Sequence, residues 1–369
     1  MQAAVSRSGA AVPELESIDI GPPQAGEVLV RMVASGICHT DLRVHAGRGP
    51  GTLQPIVLGH EGAGIVEELG AGVVGLAPGD PVVLSGSSCG RCASCRSNHP
   101  SYCDEMLPRN FGGLRMDGTS ALTANGQRLY GHFFGQSSFA QYCIASERTA
   151  VKVPREVPLR LLGPLGCGVI TGVGAVLYAM KVQPGDTIAI FGTGGVGLSA
   201  VMAARLAGAC RIIAIDIAPQ RLALARELGA TDVLDARPGD AGKAVRDLTG
   251  RGVDFSFNTT PAPGVFTQAL ECLATRGTAV FVTAPQGDWK PAMFPMLAGG
   301  RRLQGIVGGE AAPQLAIPML IEYYRQGRLP FDRLLRFYPF EQIAAAFRDM
   351  EHGIAIKPVL EIGSGELRS

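Results

Sequence analysis

The chain has few charged residues, no concentration of basic residues and no long apolar run. Only 18% of its 369 residues are charged, the formal net charge is +1, and arginines are spread along the whole length. A nucleic-acid-binding surface needs clustered basic side chains, so this class of function is disfavoured. No apolar run approaches the ~18 residues of a membrane-spanning helix. The N-terminus lacks an apolar stretch behind a basic start, so we expect no secretory signal and a cytoplasmic protein.

Cysteine is present in an odd number, nine, which fits a disulfide framework poorly. Thiols stay reduced in the cytoplasm, and a redox C-x-x-C pair is expected near a βαβ unit, which this part of the sequence lacks. Four soft ligands at C-x2-C-x2-C-x7-C spacing can enclose Zn²⁺ as a tetrahedron with no open position, the arrangement of a structural site. The predicted structural zinc ligands are Cys89, Cys92, Cys95 and Cys103.

Two different patterns of predicted secondary structure divide the sequence. Residues 1–168 alternate short β-rich runs with Gly and Pro turns, which is typical of an antiparallel, barrel-like domain. Residues 169–306 alternate apolar strands with Ala- and Leu-rich helices, which indicates a parallel, doubly wound sheet. Residues 307–369 contain two helix candidates, at 312–326 and near 341–351, followed by the strand-like KPVLEI. The predicted fold class is therefore α/β, with a β-rich domain, an α/β domain with a doubly wound sheet and a short return.

The stretch FGTGGVG places a G-x-G-x-x-G pattern directly after an apolar strand and at the start of a helix. The glycines let the backbone turn tightly and approach a pyrophosphate, and the helix N-terminus offers unpaired N–H groups. Asp216 ends the next strand, where a carboxylate can accept both ribose hydroxyls of NAD and repel a 2′-phosphate. A glycine-rich helix cap with an unrelated Asp is the alternative. The cofactor-binding candidates are Gly192, Gly194, Gly195, Val196, Gly197, Asp216, Ile217 and Arg221.

Two further stretches, GICHTD and GHEGAG, concentrate reactive side chains. Three of the six histidines, His39, His45 and His60, fall within this part of the chain. Taken singly, Cys38 could be an ordinary buried thiol and His60 an ordinary core histidine. The two stretches therefore need a wider pattern before they indicate chemistry.

That wider pattern is a family resemblance. The run GHEGAGIVEELGAGV resembles the zinc signature of medium-chain alcohol dehydrogenases, and the four-cysteine segment, PLGCGVITGVGAVL and GTGGVG follow in the order of that family. The resemblance covers essentially the whole chain. It implies a GroES-like catalytic domain interrupted by a Rossmann domain, with NAD in the cleft between them and two zinc ions per chain. It also implies a small-molecule alcohol or aldehyde substrate and a homo-oligomer, either a dimer or a tetramer.

The resemblance assigns roles to individual residues. It implies a catalytic zinc held by Cys38, His60 and Cys167, with one position open. Glu61 would be a transient fourth ligand or lie behind the ligands, and Asp41 would orient the His60 imidazole through its other ring nitrogen.

The same resemblance assigns the proton path and the phosphate contacts. Thr40 would take the alcohol proton, while His39 and Lys357 would contact the cofactor pyrophosphate. Many relatives finish the proton path with a histidine where this chain has Arg43, which cannot act as a base near neutral pH. His45 is the candidate to substitute for that histidine, and solvent is the alternative.

The substrate pocket is predicted from small and aromatic residues. Ser85 stands where ethanol-preferring relatives often have a bulky aromatic, which should leave room, and Phe133 and Phe134 could form an aromatic wall. The segment RNFGGLRMDGTS resembles the aryl-alcohol branch of the family. We therefore expect oxidation of a primary aromatic or allylic alcohol. The alternatives are a glutathione-dependent formaldehyde dehydrogenase, a general aliphatic alcohol dehydrogenase, and a non-catalytic NAD- or zinc-sensing protein.

Overall fold

The computed structural model describes residues 1–51, 53–237 and 239–363. The chain divides into two compact units. The first comprises Met1–Gly168, Ala312–Arg325 and Phe331–Ser369, and the second comprises Val169–Ala311 and Gln326–Pro330. Within the described ranges, no helix has both the length and the apolar character needed to cross a membrane.

The described strands, in chain order, are β1 (Gln2–Ser6), β2 (Glu14–Ser17), β3 (Asp19–Ile20), β4 (Glu27–Gly36), β5 (Ile56–Val57), β6 (Glu61–Leu69), β7 (Pro81–Leu84), β8 (Leu122–Ala124), β9 (Gln127–Arg128), β10 (Tyr142–Ser146), β11 (Ala150–Lys152), β12 (Thr187–Phe191), β13 (Arg211–Asp216), β14 (Asp232–Asp235), β15 (Val253–Asn258), β16 (Leu273–Phe281), β17 (Arg302–Gly305), β18 (Leu335–Pro339) and β19 (Lys357–Glu361).

The described α-helices are α1 (His39–His45), α2 (Ala93–Arg96), α3 (Met106–Phe111), α4 (Gly168–Gly174), α5 (Gly195–Ala207), α6 (Pro219–Leu228), α7 (Ala241–Thr249), α8 (Pro263–Glu271), α9 (Met293–Gly299), α10 (Pro313–Arg325) and α11 (Ile343–Glu351). The two C-terminal helix candidates and the KPVLEI strand correspond to α10, α11 and β19.

The first unit is built on a mixed, mainly antiparallel sheet. Among the described strands its order is β11-β7-β6-β4-β19-β18, with β10 also pairing with β4. The β4–β6 pair is antiparallel and sets Gly36 opposite Glu61, while Val359 of β19 also lies opposite Gly36. The turn after β4, the residue before β6 and the start of β19 therefore meet at one end of the sheet. This end carries Cys38, His60 and Lys357.

The segment that delivers Cys167 lies against the same sheet. It requires glycine at position 166, where an added Cβ would come within 2.0 Å of the Leu84 carbonyl oxygen. Because no side chain fits there, the backbone before Cys167 can approach the end of β7 closely. Cys167 thereby reaches the end of the sheet that carries Cys38 and His60, although it is distant from both in sequence.

The second unit is a parallel sheet with the order β14-β13-β12-β15-β16-β17 among the described strands. Every neighbouring pair in it is parallel, with helices in the connections. The central strand β12 is almost entirely apolar and buried, as expected for a strand covered on both faces. The predicted α/β fold class, a β-rich domain plus a doubly wound parallel sheet, is confirmed.

Candidate functional site

The first unit gathers one histidine, two cysteines and a carboxylate into a group that could hold a metal. The side-chain ligand atoms of Cys38, His60, Glu61 and Cys167 all lie within 4.8 Å of one another. His60 and Glu61 are buried, with 1% and 0% of their surface exposed. Two sulfurs and an imidazole nitrogen form a donor set that suits zinc, with room for one more ligand. The structure thus brings together the ligands that the family resemblance implied.

His60 is oriented by Asp41, and its second ring nitrogen is left without a protein partner. The Nδ1 atom of His60 lies 3.0 Å from Oδ1 of Asp41, which also accepts a hydrogen bond from the Gly59 N–H. The Nε2 atom of His60 is buried and has no hydrogen-bond partner among the described residues. A buried nitrogen without a partner is costly, and metal ligands have this arrangement, with the other nitrogen hydrogen-bonded to a carboxylate. His60 therefore fits a metal ligand better than a satisfied core histidine.

The thiols of Cys38 and Cys167 shift each other's pKa in opposite directions. A hydrogen bond from Cys167 holds the pKa of the Cys38 thiol well below its usual value, and burial opposes this less strongly. The same hydrogen bond, with burial, raises the pKa of Cys167. Since the thiolate is the form that binds a metal, the lowered pKa of Cys38 favours its use as a ligand, whereas Cys167 would have to lose its proton to bind one.

Glu61 and Lys357 form a buried ion pair beside the ligands. The Lys357 Nζ atom lies 2.8 and 2.9 Å from the two Glu61 carboxylate oxygens and donates a third hydrogen bond to the Ile37 carbonyl at 3.1 Å. Burial raises the pKa of Glu61 to about 7, although Lys357 opposes this. Burial alone would lower the pKa of Lys357, but Glu61 together with the sulfurs of Cys38 and Cys167 outweighs it and the pKa rises. All three Nζ donors are thus used within the protein, and the pyrophosphate contact of Lys357 stays a prediction.

The residues implied in proton transfer lie on helix α1, which follows Cys38. The Thr40 hydroxyl oxygen is 3.8 Å from the Cys38 sulfur, while His39 and Arg43 are exposed. His45 is buried at the far end of the helix, with Nε2 3.0 Å from the Ala10 carbonyl oxygen and Nδ1 2.7 Å from a serine hydroxyl. Because a carbonyl only accepts, Nε2 carries the proton. His45 would have to give up one of these bonds to relay a proton, and that role stays a prediction.

The four-cysteine segment forms a second cluster in the first unit. The sulfurs of Cys89, Cys92, Cys95 and Cys103 also lie within 4.8 Å of one another. All nine cysteines fall in the described part of the chain and are free thiols, which disfavours the disulfide alternative. Backbone N–H groups of Arg91 and Cys92 donate to the Cys89 sulfur and lower the pKa of that thiol to about 6. Such donors favour thiolate, the form that ligates zinc.

The glycine motif in the second unit forms a tight turn directly before helix α5. Gly192 has φ +88°, and a Cβ on it would lie 2.5 Å from the Thr259 hydroxyl oxygen. A Cβ on Gly197 would lie 1.8 Å from the Gly192 carbonyl oxygen, whereas Gly194 faces open space. Helix α5 starts at Gly195, with Val196 in its first turn. The loop is therefore compact on its protein side and open at Gly194, as backbone approach of a phosphate requires.

Asp216 is fixed beside this loop by four hydrogen bonds. Its Oδ2 accepts from the Thr193 N–H at 2.6 Å and the Thr193 hydroxyl at 2.8 Å, and its Oδ1 accepts from the Ile217 and Ala218 N–H groups at 2.8 and 3.0 Å. Ile217 thus holds the Asp216 carboxylate through its backbone N–H, while 64% of the residue is exposed to solvent. Arg221 lies in helix α6 and is partly buried. The carboxylate is oriented towards the glycine loop, where the sequence predicted a ribose contact.

An aromatic cluster surrounds His60. The Phe134 ring stacks on the His60 ring with centroids 4.5 Å apart and 26° between planes, and Phe133 meets His60 edge-on at 5.5 Å. Phe111 completes the cluster at 5.1 Å from Phe134. Phe133 is only 1% exposed, whereas Phe111 and Phe134 are partly exposed. Phe111 was missed by the sequence reasoning, although it lies within the RNFGGLRMDGTS segment that carried the aryl-alcohol resemblance.

Ser85 lies near this cluster but turns its hydroxyl away to the backbone. Its Oγ donates to the Gly166 carbonyl at 2.7 Å, and only 4% of the residue is exposed. A Cβ added to the neighbouring Gly86 would lie 3.6 Å from the Phe134 ring and 3.5 Å from the side-chain oxygen of Asn110. A side chain at position 86 would therefore contact the Phe134 ring, and glycine leaves that side of the ring uncovered.

Comparisons with known proteins agree with this geometry. The family description "Alcohol dehydrogenase GroES-like domain" matches residues 24–155, and "Zinc-binding dehydrogenase" matches residues 195–322. The chain is 46% identical to geraniol dehydrogenase of Castellaniella defragrans, covering 97% of each. It is 39% identical to S-(hydroxymethyl)glutathione dehydrogenase of Synechocystis, covering 94% of this chain and 95% of the other. The crystal structure of benzyl alcohol dehydrogenase from Acinetobacter calcoaceticus superposes with a TM-score of 0.95 at 43% identity, covering 98% and 99%.

These matches confirm the family resemblance and the GroES-like and Rossmann domain types. They extend over nearly the entire chain, and they agree with a site that presents two cysteines and an unpartnered histidine nitrogen to a metal. The protein therefore belongs to the zinc-binding, medium-chain alcohol dehydrogenase family of oxidoreductases.

Proposed function

We propose that this enzyme catalyses the reversible, NAD-linked oxidation of a primary aromatic or allylic alcohol to its aldehyde. The observation that carries the proposal is the buried, unpartnered Nε2 of His60, which faces Cys38 and Cys167 while its other nitrogen is held by Asp41. Zinc at these three ligands would act as a Lewis acid on the alcohol oxygen and make its proton easier to lose. A second zinc would be held by the four-cysteine segment and stabilise it.

The residues around the ligands have separate roles in this proposal. Asp41 keeps the Nδ1 proton of His60 in place, so that the Nε2 lone pair faces the metal. The Thr40 hydroxyl, whose oxygen lies 3.8 Å from the Cys38 sulfur, would accept the proton that leaves the alcohol and pass its own hydroxyl proton onwards, to His45 or to solvent. Lys357 neutralises Glu61, so that the carboxylate can stay near the ligands without adding net charge.

NAD would bind at the glycine loop of the second unit and accept the hydride. The open face of Gly194, the start of helix α5 and the oriented Asp216 carboxylate support this assignment. A carboxylate repels a 2′-phosphate, so NAD is favoured over NADP. A cytoplasmic location fits free thiols in both metal clusters and stays a prediction.

The aromatic cluster supports the substrate class. Phe134 and Phe111 are partly exposed, and Phe134 stacks on a metal ligand, so a planar group near the metal would meet ring faces and edges. Two of the similar proteins are named for geraniol, a primary allylic alcohol, and for benzyl alcohol, a primary aromatic one. Both substrates carry a planar, unsaturated carbon next to the reacting carbon.

The proposal is tested by kcat/KM with NAD⁺ for benzyl alcohol, geraniol, ethanol and S-(hydroxymethyl)glutathione, following NADH formation on zinc-loaded protein. We expect a large preference for the two unsaturated alcohols and a loss of that preference in Phe134→Leu. Phe337→Leu is the matched control, because Phe337 is a partly buried aromatic of strand β18 that packs against Arg160. A preference for ethanol would discard the aromatic pocket, and a preference for S-(hydroxymethyl)glutathione would favour the formaldehyde dehydrogenase. Inactivity with every substrate, with NAD still bound, would favour a sensor.

We also propose that the protein is a homo-oligomer, in which a second copy binds at the β17 edge of the parallel sheet. β17 is the last strand at this edge among the described strands, and helix α9 directly before it exposes 67% of Met293, 78% of Phe294 and 81% of Leu297. A free edge beside an apolar patch favours pairing with its own twofold-related copy. Light scattering should give a dimer or a tetramer that Phe294→Asp dissociates. Val74→Asp, at a site 90% exposed in the other unit, is the control that should leave the mass unchanged.

A further inference from the structure

Residues 132–137, which we call the FFG loop, have an unusual backbone beside the metal ligands. Three of their non-glycine residues adopt positive φ: His132 at +55°, Phe134 at +52° and Ser137 at +57°. Non-glycine residues rarely adopt this conformation, and several in one short segment persist only where surrounding contacts hold them. The contacts that hold this loop therefore show what it is built to position.

Gln136, near the end of this loop, hydrogen-bonds the segment that carries His60 and the Ser85 carbonyl just after strand β7. Only 1% of the residue is exposed. Its Nε2 donates to the His60 carbonyl at 3.1 Å and to the Ser85 carbonyl at 3.4 Å, and its Oε1 accepts from the Gly62 N–H at 3.1 Å. Two carbonyls on one side and an N–H on the other allow only this orientation of the amide.

These bonds clamp both peptide groups that flank Glu61. The His60 carbonyl belongs to the peptide before Glu61, and the Gly62 N–H belongs to the peptide after it. The side chain of Gln136 therefore fixes the backbone from which the His60 ligand and the Glu61 carboxylate both project. Asp41 holds the ring of His60, and Gln136 holds the main chain beneath it.

The third bond extends the clamp towards the other side of the site. Gln136 holds the Ser85 carbonyl, and the Ser85 hydroxyl donates at 2.7 Å to the carbonyl of the peptide that joins Gly166 to Cys167. A continuous hydrogen-bonded path thus runs from the His60 backbone through Gln136 and Ser85 to the Cys167 backbone. It connects two ligands whose segments have no local connection in sequence.

We propose that Gln136 is a positioning residue that, together with Ser85, sets the spacing between the ligands His60 and Cys167. Zinc holds its ligands to within ~0.2 Å of fixed distances, so the spacing of the two backbones decides how well the metal is retained. Residues that orient ligands typically change metal affinity or activity about 10- to 100-fold when they are removed. The inference rests on the proposed catalytic zinc site.

The test measures metal retention separately from folding and activity. Protein carrying Gln136→Met keeps the length of the side chain but loses the amide, and Ser85→Ala removes the second step of the path with little change in volume. Ser137→Ala is the matched control: Ser137 is 2% exposed and bonds the Phe133 N–H and the Val57 carbonyl, neither of which belongs to a metal ligand. Release of zinc to a chelator, the absorption spectrum of cobalt-substituted protein and thermal unfolding are recorded for each.

We expect Gln136→Met and Ser85→Ala to release the catalytic-site metal about ten-fold faster or more and to shift the cobalt spectrum. Zinc in the four-cysteine segment should be released at the wild-type rate, and Ser137→Ala should lower only the unfolding temperature. If Gln136→Met and Ser85→Ala also lower only the unfolding temperature, the positioning role is refuted. A wild-type chain with a single zinc, in the four-cysteine segment, would instead overturn the proposed catalytic site and this inference with it.

Discussion

Replacing Asp41 with asparagine tests whether the buried carboxylate prepares His60 as a ligand. Asp41 is fully buried and accepts three hydrogen bonds: His60 Nδ1 at 3.0 Å and the Gly59 N–H at 3.1 Å on one oxygen, and the Cys38 N–H at 2.9 Å on the other. Asparagine keeps only one oxygen. If that oxygen faces His60 and Gly59, the new NH₂ group opposes the Cys38 N–H, and two buried donors lie against each other.

The expected effect has two parts. A buried donor left without an acceptor costs about 1–3 kcal/mol of folding free energy. Loss of the negative charge behind His60 makes the ligand less basic, and comparable changes lower metal affinity about 10- to 100-fold, or about 1.4–2.8 kcal/mol. The first part destabilises metal-free and metal-loaded protein alike, whereas the second part affects only the metal-loaded form.

The two parts are separated by denaturant unfolding with and without metal and by chelator competition for the catalytic-site zinc. Asp80→Asn is the matched control, because Asp80 is a largely buried carboxylate of the same unit that accepts from the Ala77 N–H at 2.9 Å and pairs with Lys152 at 2.8 Å. Asp80→Asn should weaken folding without changing metal affinity. Wild-type metal affinity in Asp41→Asn, or an equal loss in both variants, would refute the reasoning.

Three further outcomes are expected. Cys95→Ser should remove one of two zinc ions and lower the unfolding temperature, whereas replacing the exposed Cys210 should do neither; zinc counts and calorimetry decide this. Asp216→Gly should reduce the ratio of NAD to NADP affinity measured by titration, and an unchanged ratio would assign the discrimination to another residue. Burial raises the pKa of Asp254, but hydrogen bonds from Thr187 and the ion pair with Arg251 together outweigh burial and hold the pKa below its usual value of 3.8. The ionised Asp254 carboxylate therefore contributes its full stabilisation above pH 3.8, and this is lost as the pH falls through the lower pKa of the folded state. Asp254→Asn should make the free energy of unfolding, measured by denaturant titration at acidic pH, depend less steeply on pH.

Local patterns predicted the elements that depend on local physics. The glycine loop, the parallel strands and the two C-terminal helices each follow from a residue pattern within a short window. The four cysteines could be read as a zinc ligand set for the same reason, since all four lie in one loop. The composition of the catalytic ligand set, in contrast, came from a family resemblance, because Cys38, His60 and Cys167 meet only through strand pairing and the close approach at Gly166.

Contacts between residues that are distant in sequence could not be predicted from local patterns. Gln136 bonds His60 across 76 positions, and nothing in its neighbourhood distinguishes it from any loop glutamine. Phe111 joins Phe134 only because the end of helix α3 packs against the FFG loop. Lys357 did carry a signal, since a lysine that starts an otherwise apolar strand must find a partner if it is buried. The sequence could not say that the partner is Glu61.

The Glu61–Lys357 pair explains how an acidic residue can lie next to a set of anionic ligands. In the proposed site, the two positive charges of zinc would balance the thiolates of Cys38 and Cys167, with His60 as a neutral ligand. A lone carboxylate added to this balanced group would be a buried, unpaired charge, which is strongly destabilising. Lys357 supplies the missing positive charge at 2.8 Å and comes from a strand that lies beside β4 in the same sheet. The start of β19 therefore contributes to the electrostatics of the proposed metal site, although Lys357 is about 300 positions away from Cys38 and His60 in sequence.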